Sequence, residues 1–123
     1  VTLFDTSVLI AHLRGDERAT ELLTAVSGEE RLASVLARVE IEGGMRSAER
    51  AQVASLFGVI RLLPVTDAVA RRAAEHLRRY RRSHTGVDLV DYVVAATAEL
   101  HDAQLATLNV RHFPMFEDLR PPW

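Results

Sequence analysis

Four acids and one amide stand where chemistry could be done in this chain: Asp5, Glu40, Asp88, Asp91 and Asn109. Asp88 and Asp91 open the stretch Leu89–Ala98, which is apolar on nearly every side and reads as a buried helix. Their spacing of three puts both carboxylates on one helical face. Buried carboxylates are costly unless something compensates them. Two accounts stand at this point. Asp88 can be the N-cap and Asp91 the N3 acid of an Asp-x-x-Asp capping box, favoured by the positive end of the helix; or the pair can serve a metal or catalytic site. Asp5 closes the short apolar run Thr2-Leu3-Phe4. A strand's carboxyl end is where open α/β sheets place ligands, although an acid there can also cap the next helix. Glu40 shares a helical face with Leu36, Val39 and Gly43 and is expected to point inward, toward a site or an arginine partner. Asn109 ends the run Gln104–Leu108 just as Asp5 ends the first.

If these groups converge, their mutual repulsion demands cations. An all-oxygen set suits a hard ion, Mg²⁺ or Mn²⁺. One or two such ions activate water and stabilise charge on a phosphodiester. The chemistry is hydrolysis of nucleic acid without a covalent intermediate.

The elements that must position them read as follows. Strands are predicted at residues 2–4, 31–34, 61–65 and 104–108. A helix over 6–13, capped by Thr6 or Ser7 and stopped by Gly15, is followed by one over 16–26 with Ala19, Leu22, Leu23 and Val26 on its apolar face. Others begin near Val35, across Val53, Leu56, Phe57 and Ile60, and at Thr66 or Asp67, the last with Ala70, Ala73, Ala74, Leu77 and Tyr80 inward. Its outward arginines, Arg71 to Arg82, form either a solvated face or a phosphate track. The carboxylate helix runs to about His101, and the Pro114–Trp123 tail has no regular pattern. Strands alternating with helices predict an α/β fold, a three-layer α/β/α sandwich around a mainly parallel sheet, in one domain over residues 1–123.

Composition excludes several classes. Apolar residues make up 48% and charged residues 26%, as in ordinary globular proteins. No apolar run approaches about 18 residues and no signal peptide is visible, so no membrane association is expected. Cysteine is absent, which removes thiolate and disulfide chemistry and fits a cytoplasmic protein. All 15 basic residues are arginine, which excludes lysine-dependent mechanisms. The net charge of −2 argues against coating nucleic acid by bulk charge but permits a locally basic channel.

Taken together, Phe4-Asp5-Thr6-Ser7-Val8-Leu9-Ile10, the inward Glu40, the run Asp91–Ala98 and the run Leu105–Phe113 resemble the PIN-domain family, most of all its VapC toxins of prokaryotic toxin–antitoxin pairs. The resemblance spans nearly the whole chain. It implies a metal-dependent endoribonuclease whose first three acids are Asp5, Glu40 and Asp91, with Thr6 and Ser7 as the hydroxyl residues after the first. The fourth acidic position falls on Asn109, which offers a carbonyl oxygen without charge. That leaves one or two metal ions open, with Asp88 a candidate for the missing carboxylate. The resemblance further implies a homodimer neutralised by a VapB antitoxin in a heterotetramer or larger assembly, the antitoxin's C-terminal segment covering the acids. Candidates for gripping RNA are Arg78, Arg79, Arg111 and His112.

Rival readings are weaker on the residues. A PIN-like module that binds without turnover is compatible with Asn109. A receiver domain wants paired N-terminal acids and a lysine, and a haloacid-dehalogenase-type phosphatase wants an acid at position 7. A zinc hydrolase would need helical i, i+4 spacing among His12, His76, His84, His101 and His112, and none has it. These histidines are expected at the surface or at caps.

Overall fold

The computed structural model describes all residues from Val1 to Trp123. Four parallel strands, β1 (Thr2–Phe4), β2 (Arg31–Ser34), β3 (Arg61–Leu63) and β4 (Gln104–Ala106), form one sheet in the order β3-β2-β1-β4. Six helices connect them: α1 (Thr6–Leu13), α2 (Glu17–Ala25), α3 (Leu36–Gly44), α4 (Arg50–Phe57), α5 (Asp67–Tyr80) and α6 (Leu89–Leu100). Both outer strands end two residues before their expected ends, and β3 with its following Pro64 lies at an edge, where a proline's missing donor costs nothing.

Strand alternation divides the core in two. Phe4, Ala33, Leu62 and Ala106 pack with residues of α1 to α4, whereas Leu3, Leu32, Leu63 and Leu105 pack against α6. Helix α6 is covered a second time, because Val69 and Ala73 of α5 pack on its Tyr92, Val93 and Ala96. Sheet on one flank and helix on the other explain why residues 91–98 are buried throughout. Ala95 and Ala98 face the sheet, where small side chains allow close approach.

Two helices turn differently from expectation and a third ends early. Helix α3 buries Ala37 and Ile41 and leaves Val39 67% exposed, so Glu40 lies on its flank rather than inward. Ala37 and Ile41, at i and i+4, are the pair that meets α1, α2 and α4 in the core, which turns Val39 away. Helix α5 buries Val69, Ala73 and His76, while Ala70 and Ala74 are exposed. Val69, Ala73 and His76 follow at i, i+4 and i+7 and form the face that meets α6, which turns Ala70 and Ala74 to solvent. Helix α4 ends at Phe57, and Ile60 joins the core from the turn into β3. Gly15 stops α1 with φ of 89°, a left-handed conformation that suits glycine. The tail has no strand or α-helix, yet it is docked: Met115, Phe116 and Leu119 pack on the α6 side, and Trp123 on the other.

Candidate active site

The chain lays β2 and β3 to one side of β1, then returns to place β4 on the other. The crevice of a parallel sheet opens at such a reversal, beyond the carboxyl ends of the strands. Register pairs Phe4 with Ala106, so the next residues, Asp5 and Thr107, stand side by side at that crevice.

Asp5 is 6% exposed. Its backbone occupies the N-cap position of α1, displacing the expected Thr6 or Ser7, but its side chain caps nothing. Instead its Oδ2 accepts from Ser7 Oγ at 2.9 Å and from Thr107 Oγ1 at 2.7 Å. Those hydroxyls accept in turn from the backbone N–H groups of Leu108 and Asn109, each at 3.0 Å. Each hydroxyl proton is therefore directed at the carboxylate. Thr6 turns the other way and donates to Glu40 Oε1 at 2.9 Å. The tripeptide Asp5-Thr6-Ser7 thus ties two acids to one helix start.

Asp91 is 9% exposed. The capping box is fully formed: Asp91 N–H donates to Asp88 Oδ1 and Asp88 N–H to Asp91 Oδ2, both at 3.1 Å. Even so, burial pushes the Asp91 carboxyl up to about 6; the N–H bond from Asp88 opposes this, the charges of Asp88 and Asp5 add to it, and His112 opposes it. His112 Nδ1 lies 3.3 Å from Asp91 Oδ2. Capping therefore does not by itself satisfy this acid.

Of the residues expected at the site, Asp5 is tied to Ser7, Asp91 to Asp88 and His112, and Glu40 to Thr6; the Asp5 and Asp91 groups touch through no hydrogen bond but lie close enough for the charge of Asp5 to raise the Asp91 carboxyl. Asn109 follows Thr107 with its backbone bound there. Arg78 and Arg79 make no contact with the acids; Arg79 lies over the ring of Tyr80. His76, expected at the surface, is 4% exposed and meets Glu99, because it faces the α5–α6 seam. Thr107 was not singled out from the sequence. No periodic signal marks it, because its contact with Asp5 follows from the β1–β4 register, which the structure supplies.

A model of the PIN domain matches residues 2–117. The chain belongs to the PIN-domain family, in its VapC branch. Ribonuclease VapC10 of Mycobacterium tuberculosis is 52% identical over 122 residues, covering 98% of this chain and 92% of that protein. Ribonuclease VapC19 of the same species is 47% identical over 123 residues, with 98% of each chain covered. Among solved structures, a toxin–antitoxin complex from Klebsiella pneumoniae superposes over 100% of this chain and 98% of its own, with a TM-score of 0.83 and 23% identity, a likeness of fold.

In this PIN domain no three Asp, Glu or His side chains meet as a ready coordination cluster. The donor chemistry nevertheless fits a hard cation: Asp5 and Asp91 are buried carboxylates whose charges repel, Asp5 is met by neutral hydroxyls alone, and the one basic side chain in contact with Asp91 is His112. No helix is long and apolar enough to cross a membrane.

Proposed function

We propose that this PIN domain is a metal-dependent endoribonuclease toxin, acting in the cytoplasm as a homodimer and neutralised by a VapB-type antitoxin in a heterotetramer or larger assembly. The 123 residues act as one unit. The observation that carries the reading is the pair of buried acids, Asp5 and Asp91, at the sheet's reversal without a guanidinium to match them. Relatives named ribonucleases support the substrate class.

Asp5, Asp91 and Glu40, with Asp88 in support, would hold Mg²⁺ or Mn²⁺. Bound there, a divalent ion supplies charge neutralisation on the phosphate and activation of water. Ser7 and Thr107 fix Asp5 by occupying one of its oxygens, leaving the other to ligate. Thr6 holds Glu40 within reach, and Asn109 offers an uncharged oxygen beside them. The capping box orients Asp91 on the rigid α6. Arg78, Arg79, Arg111 and His112 are the side chains that contact the RNA. One observation favours a second reading, a binding module without turnover: Asn109 brings no charge to the fourth acidic position.

One assay separates them. Purified protein and its Asp5→Asn variant are incubated with a mixed RNA pool, with Mg²⁺ or Mn²⁺ and with a chelator. Metal-dependent cleavage that the variant lacks is expected. Cleavage retained in full by the variant contradicts the site, and none by the wild-type chain points to the binding module.

A further inference from the structure

Beside Asp91 the surface opens into a cavity of about 170 Å³ lined by Leu108, Asn109, Val110, Arg111, His112 and Pro121. It adjoins the acids through one of its lining residues, His112, whose Nδ1 lies 3.3 Å from Asp91 Oδ2. Its other walls differ in kind from the acid pocket. Leu108 and Pro121 offer apolar surface, and Leu108 is 37% exposed. Asn109 uses its backbone N–H on Thr107, while its side-chain amide has no partner within the chain, and neither has the Arg111 guanidinium. A donor–acceptor amide, a planar guanidinium, an imidazole and apolar walls are the groups that receive an unstacked nucleobase: the planes stack on it and the amide reads its edge.

The wall at Pro121 comes from the far end of the chain. Trp123 is packed into the core on the α1–α4 side, and the Arg18 guanidinium lies 5.1 Å from its ring centre. Phe116 and Leu119 pack on the opposite side of the sheet. The tail is thus pinned on both sides of Pro121, which holds the proline as a fixed wall rather than a loose end.

We infer that this cavity is a base-reading subsite: it takes the nucleobase of the nucleotide next to the scissile phosphate, with Asn109 and Arg111 contacting the base and Pro121 closing the pocket. The inference rests on the nuclease reading above and deepens it by assigning sequence preference to a place.

The test uses the full chain, its Pro121→Gly and Arg111→Ala variants, and a randomised RNA pool. Cleavage sites are sequenced with Mg²⁺ or Mn²⁺ present. In parallel, oligonucleotides retained without divalent metal are sequenced. Wild-type protein is expected to favour particular bases at one position adjoining the cut, and both variants to flatten that preference by about fivefold or more while preferences elsewhere are unchanged. An unchanged base profile in both variants, or a wild-type chain indifferent to the bases flanking the cut, overturns the subsite. Absence of any cleavage by the wild-type chain overturns the nuclease reading instead. The retained pool then decides the subsite: a base preference lost in both variants supports it, and a preference they keep, or none at all, overturns it.

Discussion

Helix α6 carries an acid at each end, and the two are treated in opposite ways. Glu99, near the carboxyl end, is met by Arg72 Nη2 at 2.9 Å and by His76 Nε2 at 2.5 Å, and these bonds and charges outweigh burial and hold its carboxyl below the usual glutamate range. Asp91, in the first turn, has acids for neighbours and a carboxyl pushed up to about 6, chiefly by burial. One end is neutralised by the chain itself. The other is left with a carboxyl that burial and like charges raise, and that difference is the one expected between an acid that holds the fold together and, on the proposed function, one kept for chemistry.

The largest effect that breaks the symmetry is on turnover. Asp91→Asn is expected to lower RNA cleavage on the order of a thousandfold, and Glu99→Gln to leave it within about threefold. Steady-state kinetics on one RNA substrate check both. Next comes Thr107→Val, which removes a donor from Asp5 and is expected to cost roughly ten- to a hundredfold in kcat, with Thr107→Ser restoring most of it. Equal defects in the valine and serine variants contradict a hydroxyl role.

Stability should move in opposite senses. A raised carboxyl means that the folded chain keeps its proton from about 4 to about 6 while the unfolded chain has lost it, so Asp91 costs stability as pH rises through that window and costs it fully above. Asp91→Asn is therefore expected to be more stable than wild type by on the order of 2 kcal/mol at pH 7.5 without metal, with no gain below about pH 4. Asparagine still accepts the Asp88 N–H. Glu99 has the reverse sign: its contribution is present above its ordinary range and fades as pH falls through its lowered pKa. Glu99→Gln should cost about 1–2 kcal/mol at neutral pH, discounted because Arg72 is 40% exposed, and less in acid. Urea unfolding between pH 3.5 and 7.5 reads both curves. The smallest effect lies between the two ends: the Tyr92 hydroxyl is buried without a partner, so Tyr92→Phe should match or slightly exceed wild-type stability in the same unfolding experiment.

The fold was largely legible because its signals are strong and local. Four apolar runs and the uninterrupted stretch from Asp91 to Ala98 place the sheet and its buried helix, and Asp5 stands at a strand end by position alone. Helix rotations were read less well. Helix α3 has only nine residues, and its rotation is set by Ala37 and Ile41 finding the core, so Glu40 is held by the Thr6 hydroxyl rather than facing inward. His76 and Thr107 were missed for a shared reason. Their roles depend on partners 23 and 102 residues away, which periodicity along the chain does not record. Asp88 and Asp91 show that a capping box and an under-neutralised acid occupy the same residues without conflict.

The central claim, that one end of α6 is built for a cation and the other is not, is tested most directly by metal-induced stabilisation. Thermal unfolding of wild type, Asp91→Asn and Glu99→Gln would be followed as Mn²⁺ is added. Wild type and Glu99→Gln should both be stabilised, by about 2.7 kcal/mol at a hundredfold excess over Kd, and Asp91→Asn should respond little. Equal stabilisation of all three, or none in wild type, contradicts the account.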